Sequence, residues 1–143
     1  MGLGAKEGTS NYVESGAGSY LTSDANAGMI THLIDLDTYV DRYDVPRIDY
    51  IKLDIEGAEL DCLHGAMKSI IRWKPKLAIC AYHKTEDFWS LAQYINSLRP
   101  DYEFAFRHYR IEEKPGGAVQ KVRHQLNLSP NLTTDWELVL YCR

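Results

Sequence analysis

Between Ile48 and Ile71 the chain passes from one hydrophobic rhythm to another. Residues 48–55 (IDYIKLDI) are mostly β-branched or large apolar positions, broken by Asp49, Lys52 and Asp54. A short apolar run bounded by turn signals suits a strand covered on both faces, as in a parallel sheet. Gly57 then allows a sharp change of direction. Beyond it Leu60, Leu63, Met67, Ile70 and Ile71 recur at helical spacing. They predict one helix over 60–73 with a single apolar stripe, in which Leu63 and Met67 face the sheet. Arg72 and Lys74 suit its C-terminal end, and Pro75 stops it. Residues 76–83 (KLAICAYH) form a second apolar run, expected to be a strand parallel to the first across a helical crossover. Thr85 is placed to cap a helix whose stripe is Phe88, Leu91, Ala92, Ile95 and Leu98. Pro100 ends it.

The flanks are patterned more weakly. Six of the ten glycines fall within residues 1–28, which gives this part a loose, hairpin-like character. Strand composition marks residues 9–13, 20–22 and 29–34. Asp35 or Asp37 can cap a short helix over 38–43. Residues 102–109 alternate charged and aromatic positions and read as a strand, and 137–142 read as a closing one. Pro115, Gly116 and Gly117, then Ser129, Pro130 and Asn131, place a long loop over 110–133. The domain organisation is one unit over 1–143, with a lead-in over 1–44 and an α/β core over 45–143. The last strand is free to return antiparallel and make the sheet mixed.

A chain of 143 residues suffices for one core. Its formal net charge is −4, with Lys and Arg scattered, which argues against nucleic acid as a partner. No apolar run approaches a membrane span, and Lys6 and Glu7 stand where an export signal needs an apolar core. The three cysteines, Cys62, Cys80 and Cys142, have no paired spacing. Buried free thiols in a reducing, cytoplasmic setting are the expectation.

The chemistry concentrates where the first apolar run ends. Asp54, Glu56 and Glu59 crowd the carboxyl end of that strand and the first turn of the helix, where open α/β sheets bind ligands. For Glu59 the helix dipole alone is a sufficient reason. Asp54 belongs to an apolar strand, so it needs a ligand or a partner. Lys52, two residues earlier on the same face, is one such partner. His83 ends the adjacent strand and is a candidate base, since imidazole exchanges protons near neutral pH; a polar residue flanking a helix is the plainer reading. The triplet of Gly2, Leu3 and Gly4 lacks the preceding strand and third glycine of a nucleotide loop, and reads as a turn.

The stretch IDYIKLDIEGAELDCLHGA resembles the FkbM-type methyltransferases. Their hallmark is Ile-Asp-x-Ile-Lys-x-Asp-x-Glu-Gly-x-Glu-x-x-x-Leu-x-Gly-Ala. Ile48, Asp49, Ile51, Lys52, Asp54, Glu56, Gly57, Glu59, Leu63, Gly65 and Ala66 carry it here. Residues 2–9, 34–37, 74–77 and 81–83 are similar to flanking family segments. The resemblance implies a Rossmann-like methyltransferase sheet using S-adenosylmethionine (AdoMet). It implies that this chain holds the C-terminal portion, strands 4, 5, 6 and 7 of that sheet, with an antiparallel last strand. The family's Asp-x-Gly-x-x-x-Gly cofactor loop and its ribose-binding acid are not among these residues.

What the resemblance implies for function is O-methylation of a small molecule or sugar hydroxyl. Asp54 lies beside the transferred methyl and contacts the cofactor, Asp54, Glu56 and His83 orient or deprotonate the acceptor, and Lys52 holds a carboxylate. With the cofactor loop missing, an inactive or partner-binding remnant is the alternative. A third reading makes Asp54, Glu56 and His83 metal ligands in a hydrolase. An unpaired edge on the hallmark strand predicts self-association, or residues 1–34 folded over it.

Overall fold

The computed structural model describes residues 1–15, 19–22, 24, 26–110 and 136–143. Two four-stranded mixed sheets make up the fold. The first contains β1 (Gly2–Leu3), β2 (Gly8–Val13), β3 (Tyr20–Thr22) and β4 (Met29–Ile34) in the order β1-β4-β2-β3. The strands expected at 9–13, 20–22 and 29–34 are present as β2, β3 and β4, and the triplet read as a turn supplies β1, so the lead-in is one sheet. Here β4 pairs antiparallel with β2 and parallel with β1.

After the first sheet comes α1 (Leu36–Arg42). Asp35 caps it, accepting from the Thr38 N–H at 2.8 Å. The second sheet has the order β5-β6-β8-β7. It is built from β5 (Tyr50–Leu53), β6 (Lys76–Cys80), β7 (Phe104–Arg110) and β8 (Trp136–Cys142). The expected parallel pair is present, with Lys52 opposite Ala78 and Leu53 opposite Ile79. The return strand β8 is antiparallel to both β6 and β7. The loop expected over 110–133 falls almost wholly outside the described residues.

One apolar core lies on one face of this sheet. Ile51, Leu53, Leu77 and Ile79 meet Leu63, Ile70, Leu91 and Ile95 there. On the opposite face is a smaller cluster of Ala78, Cys80 and Val139. This corrects the expectation that β5 is covered on both faces. Ile51 and Leu53 are buried while Tyr50 and Lys52 are exposed, because the helices of the core pack on one side only. All three cysteines are buried and unpaired.

The single helix expected over 60–73 is two helices, α2 (Glu59–His64) and α3 (Met67–Trp73). Gly65 marks the break. A Cβ there would collide with the Gly4 carbonyl oxygen and stand 2.8 Å from the Asp35 Cβ. The Gly65 carbonyl accepts from the Asp37 N–H at 2.9 Å. Asp37 then caps α3 from outside, through the Lys68 and Ser69 N–H groups. The break shifts the helical phase. Cys62, Leu63, Ala66 and Ile70 face the core, whereas Met67 and Ile71 are 40% and 45% exposed. Lys74 ends α3 in the left-handed region, at φ 48°.

The next helix, α4 (Asp87–Leu98), starts after Glu86 with no side-chain cap, so the expected Thr85 cap is absent. Asp87, the first helical residue, instead reaches back to the preceding turn, accepting from the Lys84 N–H at 3.1 Å. Leu91 and Ile95 are fully buried, and Phe88 is half exposed and stacked on Phe106.

Candidate active site

The turn after β5 sets the geometry of the site. Glu56 and Gly57 both have positive φ, 55° and 91°. Glycine tolerates this freely, whereas a residue with a Cβ is strained by about 1–2 kcal/mol. The reversal brings Asp54, Glu56 and Glu59 round a single imidazole. Such strain beside a cluster of ionisable groups is common where a site must hold its shape.

His83 follows β6 at the same edge, and its side chain is only 8% exposed. Its Nε2 lies 3.5 Å from Glu56 Oε2 and 3.7 Å from Asp54 Oδ1. Its Nδ1 lies 2.8 Å from Glu59 Oε1, off the axis that a straight hydrogen bond would need. The Glu59 side chain is completely buried. Its Oε1 also accepts from the Ile55 N–H at 2.9 Å, which pins the turn to the start of α2. Glu59 Oε2 and both His83 ring nitrogens have no hydrogen-bond partner.

Asp54 is more open, with 35% of its side chain exposed. Lys52 Nζ donates to its Oδ2 at 3.2 Å and the Tyr82 hydroxyl to its Oδ1 at 3.0 Å. The Cys80 thiol is a third donor. Burial works to raise the Asp54 pKa, yet these three hydrogen bonds and the Lys52 charge leave it below the ordinary carboxylate value. Asp54 is therefore held as an anion. The reverse holds for Cys80: burial first, then Asp54, pushes its thiol up to about 12, so it stays a proton donor.

The structure thus places Lys52, Asp54, Glu56 and His83 within one cluster at the carboxyl ends of β5 and β6. Among the described residues no group of three His, Cys, Asp or Glu side chains is arranged to hold a metal ion. Two members were not singled out from the sequence: Tyr82 and Cys80. Strand parity pointed to both, since 80 and 82 share the face of Asp54 once β5 and β6 are in register. Glu59 was legible only as a helix-end acid, because complete burial has no signature in sequence.

Two clefts adjoin the cluster where the first sheet approaches it. One, of about 500 Å³, has Leu3, Tyr12 and Leu21 on one side and Lys52, Asp54 and Ile55 on the other. The other, of about 450 Å³, is more polar and is lined by Lys6, Thr9, Ser10, Glu56, Asp61 and Lys84 among others.

Parallel strands ending in a carboxylate cluster, with an antiparallel return strand, make this a mixed α/β fold of methyltransferase type. The model of the methyltransferase FkbM domain matches residues 3–125. The chain belongs to the FkbM methyltransferase family. It is 33% identical to the methyltransferase FkbM of Methylobacillus flagellatus KT, whose crystal structure superposes with a TM-score of 0.56. That match covers 80% of this chain and 24% of the other, so the chain spans about a quarter of its relative's length. No curated protein matches it. Among the described residues no helix is long and apolar enough to cross a membrane.

Proposed function

We propose that this chain carries the acceptor side of an AdoMet-dependent methyltransferase site, and that the reaction is O-methylation of a small-molecule or sugar hydroxyl. The observation that supports it is the convergence of Asp54, Glu56 and His83 beside two clefts, at the carboxyl ends of adjacent parallel strands. In this reading β5, β6, β7 and β8 correspond to strands 4, 5, 6 and 7 of the family's sheet. The order β5-β6-β8-β7 agrees with it.

The cleft of about 500 Å³ beside Asp54 fits AdoMet in size and chemistry. Leu3, Leu21, Leu53 and Ile55 provide apolar walls, and the Asp54 anion suits a sulfonium. AdoMet, when bound, supplies an electrophilic methyl group. Asp54 holds the positive end of the donor, and Lys52 and Tyr82 fix the carboxylate in place. Glu56 orients the acceptor hydroxyl, and His83 Nε2 takes its proton. Alignment of the two reactants is the larger contribution to rate, with base catalysis added to it.

The 143 residues contain no Asp-x-Gly-x-x-x-Gly turn. Each missing cofactor hydrogen bond is worth about 0.5–1.5 kcal/mol, more where charged. A total of roughly 4 kcal/mol turns micromolar into millimolar binding. Calorimetry on this chain is therefore expected to show millimolar AdoMet affinity. At saturating AdoMet with hydroxyl acceptors, S-adenosylhomocysteine should form, and Asp54→Asn should cut turnover. Turnover indifferent to both Asp54→Asn and His83→Asn would refute the site. The second reading, a partner-binding domain without catalysis, draws its support from the missing turn. It requires that no product form at any AdoMet concentration.

A further inference from the structure

Glu59 sits in the first turn of α2, where any acid would favour the helix dipole. That role needs no burial, and an exposed glutamate would serve it as well. Yet Glu59 is completely buried, and burying a carboxylate is costly unless it is paired. Its Oε1 meets the Ile55 N–H and His83 Nδ1, while its Oε2 has no hydrogen-bond partner. Its charge is felt nearby. Asp87, buried at the start of α4, is pushed up first by burial and then by Glu59, against the Lys84 N–H. Cys62 is raised to about 11 by burial and then by Glu59.

We propose that Glu59 is a positioning residue for the candidate base. Its buried carboxylate holds His83 with the ring proton on Nδ1, and so leaves the Nε2 lone pair facing Asp54 and Glu56. The tautomer of a histidine is set by the partner of its other nitrogen. Nε2 stands 3.5 Å and 3.7 Å from two carboxylate oxygens. A lone pair is poorly matched to two anions, but it is matched to a hydroxyl hydrogen placed among them. The acceptor O–H bond then breaks toward Nε2 as an N–H bond forms; AdoMet, when bound, would supply the methyl group to that oxygen, its sulfur keeping the electron pair of the broken S–C bond. The resulting imidazolium is balanced by Glu59, as a buried acid balances the histidine of a hydrolase triad. The same residue draws this base toward the turn, because the oxygen that accepts from the Ile55 N–H also lies 2.8 Å from His83 Nδ1. The proposal rests on the methyltransferase reading only for what Nε2 does.

The test uses the full chain labelled with ¹⁵N-histidine, at alkaline pH where imidazoles are neutral. Long-range proton–nitrogen spectra report the tautomer, and His83→Asn identifies the signal. The wild-type protein should show His83 protonated on Nδ1. Glu59→Gln, which keeps an acceptor for the Ile55 N–H, should lose that preference. In transfer assays Glu59→Gln should lower kcat by roughly 10²-fold, within the range for a lost base, with KM little changed. A wild-type ring protonated on Nε2 overturns the proposal, and that result needs no variant to fold. An unchanged tautomer in a folded Glu59→Gln overturns it as well. Absence of transfer by the wild-type protein counts against the methyltransferase reading alone, and the tautomer still decides the role of Glu59.

Discussion

Asp37 lies in the first turn of α1 but stabilises α3. Its Oδ2 accepts from the Lys68 N–H at 2.7 Å, and its Oδ1 from the Ser69 N–H at 2.8 Å and the Ser69 hydroxyl at 2.7 Å. Asp37→Ala removes all three bonds at once. Lys68 is exposed, so its N–H can turn to water, and the Ser69 hydroxyl can rotate, whereas the N–H of Ser69, a residue 3% exposed, cannot. One orphaned buried donor costs about 1–3 kcal/mol. Loss of the cap adds about 0.5–2 kcal/mol. Asp37→Ala should therefore lower stability by about 1.5–5 kcal/mol. Domains of this kind hold only about 5–15 kcal/mol in total, so the loss is large. Asp37→Asn keeps one acceptor oxygen and should lose about half as much. Urea unfolding followed by circular dichroism measures both, provided the slope with denaturant is unchanged. A loss within about 0.5 kcal/mol for Asp37→Ala would refute the reasoning, since that is the size of an ordinary surface change.

Leu63 has no exposed surface, and Leu63→Ala should cost about 2–5 kcal/mol by chemical denaturation. Tyr102 donates to the Pro75 carbonyl at 2.6 Å, and burial raises its pKa to about 12. The raised folded value means that the unfolded chain ionises first. Stability is thus unaffected below the ordinary phenol value near 10, and declines as pH rises from there through the folded value. Tyr102→Phe should flatten that alkaline decline in thermal melts, and an identical decline in both proteins would contradict it. The outer edge of β5 has no strand partner among the described residues, so the chain is expected to self-associate there. Light scattering that finds a monomer at every concentration would count against this.

The parts of the fold legible in sequence are those fixed by local pattern. The parallel pair β5 and β6 followed from two apolar runs separated by a helical stretch. Asp54, Glu56 and His83 could be placed at one edge because each ends an element of known direction. What was not legible depends on contacts between distant residues. The split between α2 and α3 arises where Gly65 meets Gly4 and Asp35; the glycine is visible in the sequence, but the distant residues that turn it into a break are not. The apolar stripe therefore assigned Met67 to the core, and the phase shift moved it out. Thr85 has the chemistry of a cap, but α4 starts without one, and Asp87 braces the turn before it. Composition marked β2, β3 and β4, but not their pairing into one sheet, which lacks amphipathic alternation because little of it is buried. Periodicity has nothing to report where no face is hidden.

That shallow burial bears on how the molecule holds together. Within the described part of residues 1–34, only Gly4 and Ile34 are buried. A sheet with so small a hidden surface cannot by itself offset the entropy of ordering its chain. Its order is lent by the seam where Gly4 meets Gly65 and its N–H meets the Ile34 carbonyl. Both clefts at the cluster take one wall from this dependent sheet. Their shape is therefore a cooperative property of the whole chain. A methyl group added at Gly65 would meet Gly4 and Asp35 and so loosen the walls before it touched the chemistry.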